Sequence, residues 1–189
     1  MSAYEGLVFL HVTSVAFWLG AELLVEILVH RAERQGDPAA MRRLFDEFNA
    51  LDPIFMPTTL VVLATGIAMV IDGPWSFGSL WTVIGFSGFG FIYLYGFGYL
   101  QPQVNRLQAM SEGEAATGPE AQALMRRFFS LWRIETAVLF LLVFDMTVKP
   151  TGEDTGTLVV MAAALVVAIA YSLWRARAIG SPGKRLPSF

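Results

Sequence analysis

Three ionisable side chains stand inside one apolar run. Leu7 to His30 contains His11, Glu22 and Glu26 and is long enough to cross a bilayer. Ionisable groups inside a membrane helix are costly, so they face a protein interior, a partner or a water-filled cavity. At about 100° per residue, Trp18 and Glu22 fall within about 20° of His11, and Glu26 within about 60°. One helix face therefore carries an imidazole, an indole and two carboxylates. The imidazole has three uses open to it: a ligand to haem or a copper ion, a proton carrier, or a hydrogen-bonded structural histidine. The carboxylates either pass protons along the stripe or lock the helix to a cationic neighbour.

That neighbour is offered by a second run, Phe128 to Val148. Arg133 and Glu135 stand near its start, and Asp145, Met146 and Lys149 near its end. Running antiparallel to the first helix, it brings Arg133 to the depth of Glu22 and Glu26, and Met146 to that of His11. Trp18, Glu22, Glu26, Arg133 and Glu135 then form a proton or ion-pair stripe. Asp145 and Lys149 are four apart and can pair on one helix surface. Met69 and Met146 are either core residues or soft ligands beside His11. The sequence holds no Ser-His-Asp set, phosphate loop or HExxH motif. With no cysteine and two histidines, thiolate sites and three-histidine sites within one chain are excluded.

The elements that position these groups follow from the composition. The chain is 55% hydrophobic and 15% charged. Its apolar residues gather in runs at about 7–30, 54–71, 80–100, 128–148 and 157–174. Each reaches roughly 18–25 residues, the length a tilted helix needs to span about 30 Å. The reading is an all-α integral membrane protein, residues 1–189 as one membrane domain. It is a five-transmembrane-helix bundle with a four-helix core and the fifth helix packed beside it. Met1-Ser2-Ala3-Tyr4-Glu5 lacks a basic lead-in, so the first run reads as a retained membrane helix.

Basic residues alternate between loops. Arg31, Arg34, Arg42 and Arg43 fill the first, Asp72–Gly78 has none, and Arg106, Arg126, Arg127 and Arg133 cluster around the third. Lys149 is alone in the fourth, and Arg175, Arg177, Lys184 and Arg185 follow the last run. This places the N-terminus outside and the C-terminus in the cytoplasm of a multi-pass inner (plasma) membrane protein. Residues 38–50, capped by Asp37, read as an amphipathic helix at the inner interface. Residues Gln101–Gln122 read as helical extensions around a flexible middle containing Gly113. The expected surroundings are the lipid bilayer and a membrane-protein partner or second copy of the chain. Nucleic acid is not expected, because the basic residues sit in short loops.

Several of these residues carry a family likeness. Leu10-His11, Trp18, Gly20 and His30-Arg31-Ala32-Glu33 resemble the first helix and inner loop of the HemJ type of protoporphyrinogen oxidase. Met56-Pro57 with Thr65-Gly66, and Arg133-Ile134-Glu135 with Val148-Lys149-Pro150, resemble its second and fourth helices. The stretch Gly73-Pro74-Trp75-Ser76-Phe77-Gly78-Ser79-Leu80-Trp81 and the ending Val148-Lys149-Pro150 resemble an uncharacterised bacterial family of predicted integral membrane proteins. The copper-resistance protein CopD is a more distant likeness, through Trp18-Leu19-Gly20. The HemJ likeness implies a helical bundle and a first-helix histidine at His11. The lysine and histidine that HemJ proteins carry in their third helix have no counterpart in Leu80–Leu100.

Two functional readings result. One is a non-enzymatic membrane component, an accessory subunit or a module passing protons or metal along the stripe. The other is a redox protein binding b-type haem or a porphyrin. There His11 is the axial ligand, Met69 or Met146 the sixth ligand, and Arg133 or Lys149 contacts the propionates.

Overall fold

The computed structural model of the protein describes residues 2–110 and 116–179. Gly113 of the third connection and Lys184 and Arg185 of the basic tail lie outside them. Helix α1 (Ala3–Gln35) begins in a capping box. The Ser2 hydroxyl accepts from the Glu5 N–H, and the Glu5 carboxylate accepts from the Ser2 N–H. Gly36 ends the helix at φ 63°, a backbone conformation open to glycine at little cost. Helix α2 (Pro38–Ala50) starts at Asp37, whose carboxylate accepts from the Ala39 N–H at 2.9 Å. Helix α3 (Asp52–Asp72) follows after Leu51 alone.

Helix α4 (Leu80–Tyr95) runs through a π turn, Gly96–Leu100, into α5 (Gln101–Ala109). In the wide turn the Gln101 N–H donates to the Gly96 carbonyl, five residues back. Pro102 lacks an N–H for the carbonyl four residues earlier and its ring crowds that carbonyl, so the helix widens just before it. Helix α6 (Pro119–Val148) ends at Lys149, a non-glycine residue at φ 53°, and α7 (Thr155–Ile179) completes the described chain.

Helix α6 is the centre of the bundle. It is buried along most of its length and packs on α7, α4, α1, α2 and α5. Helix α1 packs on α3 and α6. Helices α3 and α4 are neighbours in sequence but do not pack closely on each other. At the end where α1, α5 and α7 finish, Phe45, Phe128, Phe129, Met125 and Leu107 form a fully enclosed core. Toward the middle, Trp18, Val62, Ile92, Leu139 and Leu142 form a second.

The apolar face of α2 is turned into that first core, with Phe45 and Met41 buried, so the interfacial helix read from the sequence covers protein with its apolar stripe. Arg42 is buried too. Its Nη1 donates to the Leu107 carbonyl at 3.0 Å, and its Nε to Asp46 at 3.0 Å, so it caps the C-terminus of α5 from α2.

Four helices are long and apolar enough to cross a membrane: Ala3–Gln35, Pro53–Asp72, Leu80–Ala109 and Thr155–Ala178. The expected run 128–148 lies within α6, but Arg133, Glu135 and Asp145 interrupt it. By length and composition the count among the described residues is four, where the sequence reading had five.

Candidate functional site

Two cavities lie along the α1 stripe, named outer and inner after the topology expected from the sequence. The outer one, about 460 Å³, is walled by α1, α3, α4 and α6, and His11, Met69, Met146 and Lys149 all line it. The inner one, about 380 Å³, is lined by Glu22, Glu135, Tyr93, Phe97 and Trp132 among others. Trp18 lines both and stands between them.

His11 is 6% exposed, and its surroundings fix its tautomer. Nδ1 lies 3.0 Å from the Val62 carbonyl oxygen and 3.0 Å from Thr65 Oγ1. The Thr65 hydroxyl donates its own proton to the Val61 carbonyl at 2.6 Å. Both groups facing Nδ1 are thus acceptors, so Nδ1 carries the proton and Nε2 keeps its lone pair. Among the described residues Nε2 makes no hydrogen bond. Gly66 of α3 packs beside the ring: a Cβ there would lie 3.4 Å from His11 Cε1, an ordinary contact.

At the outer end, Lys149 does not pair with Asp145, contrary to their spacing. Its ammonium sits 3.6 Å from the centroid of the Trp75 ring and 5.4 Å from that of Trp81. Trp75 is held in turn by an Nε1–H donated to the Tyr4 hydroxyl at 3.1 Å. The left-handed backbone at Lys149 turns the chain out of α6, so its side chain leaves the helix surface where Asp145 sits. Asp145 is 0% exposed against Gly85 of α4, and neither of its carboxylate oxygens has a hydrogen-bond partner among the described residues.

In the inner half of the stripe, Glu26 and not Glu22 is the carboxylate that meets Arg133. Glu22, 5% exposed, has no ion pair with Arg133. It accepts from the Thr136 hydroxyl at 2.7 Å and from Trp18 Nε1 at 3.3 Å. Arg133 is taken by Glu26 at 2.5 Å and by Glu33 at 3.5 Å, and Glu33 also binds Arg175 at 2.9 Å. This network ties α1, α6 and α7 together. Arg133 itself lines neither cavity.

Glu33 and Arg175 were not singled out from the sequence. Glu33 is seven residues after Glu26, on the same helix face, so its spacing carried the signal. Thr65 and Thr136 carried none, because a threonine in an apolar run is ordinary. His30 is exposed at the end of the run, as its position suggested.

A polytopic helical bundle with a polar stripe and two internal cavities is the class that fold and site define. Residues 5–150 match the family described as predicted integral membrane protein (DUF2269), and the chain belongs to that family. The match runs from the first turn of α1 to Pro150, past the end of α6, leaving α7 outside it. It does not extend to the HemJ type or to CopD, whose likeness stays with the residue motifs. No curated protein and no solved structure matches the chain.

Proposed function

We propose that this protein is a non-enzymatic, multi-pass component of the inner membrane that carries a tetrapyrrole of the b-type haem class in its outer cavity. The supporting observation is the state of His11. Its Nδ1–H is spent on Val62 and Thr65, and its Nε2 lone pair is left at a cavity that Met69 and Met146 also line. A metal-bound histidine needs its second nitrogen held in this way. Met69 or Met146 would offer a second donor to the bound group, and Lys149 at the outer mouth would meet its carboxylates. A bound haem would supply one-electron chemistry. The chain's own part is to orient the imidazole and keep the site apolar.

The membrane topology belongs to the same reading. The N-terminus is outside, the C-terminus is cytoplasmic, and α6 is a fifth span. A span with internal charges is tolerated where those charges turn inward and pair, as Arg133 does with Glu26 and Glu33.

The test is an absorption spectrum of the purified protein, before and after haem addition. A Soret band that His11→Ala removes, with the variant still monodisperse, is the expected result. Folded wild-type protein that takes up no haem would end the reading. Stoichiometric copper in its place, bound through His11, would replace haem with a metal ion.

One observation favours a second reading. Trp18 lines both cavities and its indole donates to Glu22, so polar groups run on from His11 to Glu26 and Arg133. On this reading the stripe passes protons or metal ions. Unchanged ion flux in proteoliposomes of the Glu22→Gln, Glu26→Gln double variant would rule it out.

A further inference from the structure

The inner cavity has a chemistry of its own, and it does not depend on the haem reading. Two carboxylates face it, Glu22 and Glu135. Glu22 already accepts two hydrogen bonds. Glu135 is half-buried and has neither a hydrogen bond nor an ion pair among the described residues. Arg133, two residues away, is consumed by Glu26 and Glu33. Two acids facing one cavity, with the nearby guanidinium paired elsewhere, offer carboxyl oxygens that no cationic side chain among the described residues pairs with.

The walls say which cation fits. Trp18, Tyr93, Phe97 and Trp132 present aromatic rings, and such faces attract an organic cation. No group of three or more His, Asp or Glu side chains among the described residues is placed to hold a metal ion. The volume, about 380 Å³, is that of a small-molecule pocket.

The route in is a seam. Helices α3 and α4 do not pack closely, and both line this cavity. At the seam the Thr59 and Tyr93 hydroxyls lie 2.7 Å apart and share a hydrogen bond. Met56 and Phe97 flank the same cavity from the two sides and are 40% and 49% exposed. The π turn carries Phe97, and its Gly96 lies beside the Glu135 carboxyl.

We infer that the inner cavity binds a lipophilic organic cation, an amine or onium group on an apolar body, which enters from the bilayer between α3 and α4. Glu135 carries the contact to the charge, Glu22 supports it, and the aromatic rings enclose the body.

Tetraphenylphosphonium is the probe, added to the purified full-length protein in nanodiscs and followed by equilibrium dialysis against empty nanodiscs. Saturable binding is expected, weakened about tenfold or more in Glu135→Gln, which keeps the side chain's shape. His11→Ala should bind the probe as the wild type does, which separates this site from the outer cavity. Thermal unfolding of each variant verifies that it is folded. Absence of saturable binding to the wild type, or equal affinity in folded Glu135→Gln and Glu22→Gln variants, would overturn the proposal.

Discussion

At the residue scale, the stripe on α1 separates into two kinds of polar group. His11 is positioned by acceptors and keeps a free donor atom, whereas Glu26 is neutralised by Arg133. Thr65 is the residue whose replacement tests whether His11 is a ligand or a packing histidine. Thr65→Val removes one of the two Nδ1 acceptors and leaves the Val62 carbonyl in place. Haem affinity, titrated by the Soret band, should fall about tenfold, because loosening the second partner of a ligating histidine costs that much. Arg133 gives the opposite kind of prediction. Arg133→Met strands Glu26 in a mostly enclosed site while Glu33 keeps Arg175, and breaking such a pair costs about 3–5 kcal/mol. The variant should unfold at a clearly lower temperature in detergent. Adding Glu26→Gln should restore part of the loss, and no restoration would mean that the pair is not coupled.

At the element scale, the close approach of α4 to α6 rests on small residues. A Cβ on Gly88 would lie 2.5 Å from Leu142 Cδ2, inside any tolerable contact. Gly88→Ala must therefore move Leu142 or push the two helices apart, at about 1–3 kcal/mol. Leu142→Ala in the same chain should recover part of the loss in thermal stability, since it vacates the space. The α3–α4 side is built the other way, with a hydrogen bond where packing is sparse. The amphipathic pattern of α2 was legible in Met41, Leu44, Phe45 and Phe48, but its partner was not. An apolar stripe has the same spacing whether lipid or protein covers it, and here Phe128, Phe129 and Leu107 cover it.

At the scale of the whole molecule, the arginines of α1, α2, α5, α6 and α7 gather at the end where the first core closes, and among the described residues Lys149 is the one basic residue other than histidine at the other. The chain has no cysteine, so single-cysteine labelling needs no background correction. With a membrane-impermeant maleimide on intact cells, Gly78→Cys should label and Arg34→Cys should label only after lysis. The reverse pattern would invert the topology. The helices, their order and the polar face of α1 were all readable in the chain, because hydropathy and 3.6-residue spacing are local properties. The expected antiparallel match of α1 to α6 brought Arg133 to Glu26 for the same reason. What the residues could not settle was the choice among equivalent partners. Glu22 and Glu26 are four apart, yet only Glu26 takes Arg133, and Glu22 turns to Thr136 and Trp18. Asp145 and Lys149 have pairing spacing, yet the left-handed turn sends the ammonium to Trp75. The gap between α3 and α4, and the two cavities it borders, exist only once the helices are packed. Spacing along one helix says which side chains share a face; which neighbour meets that face depends on the positions of all the helices together.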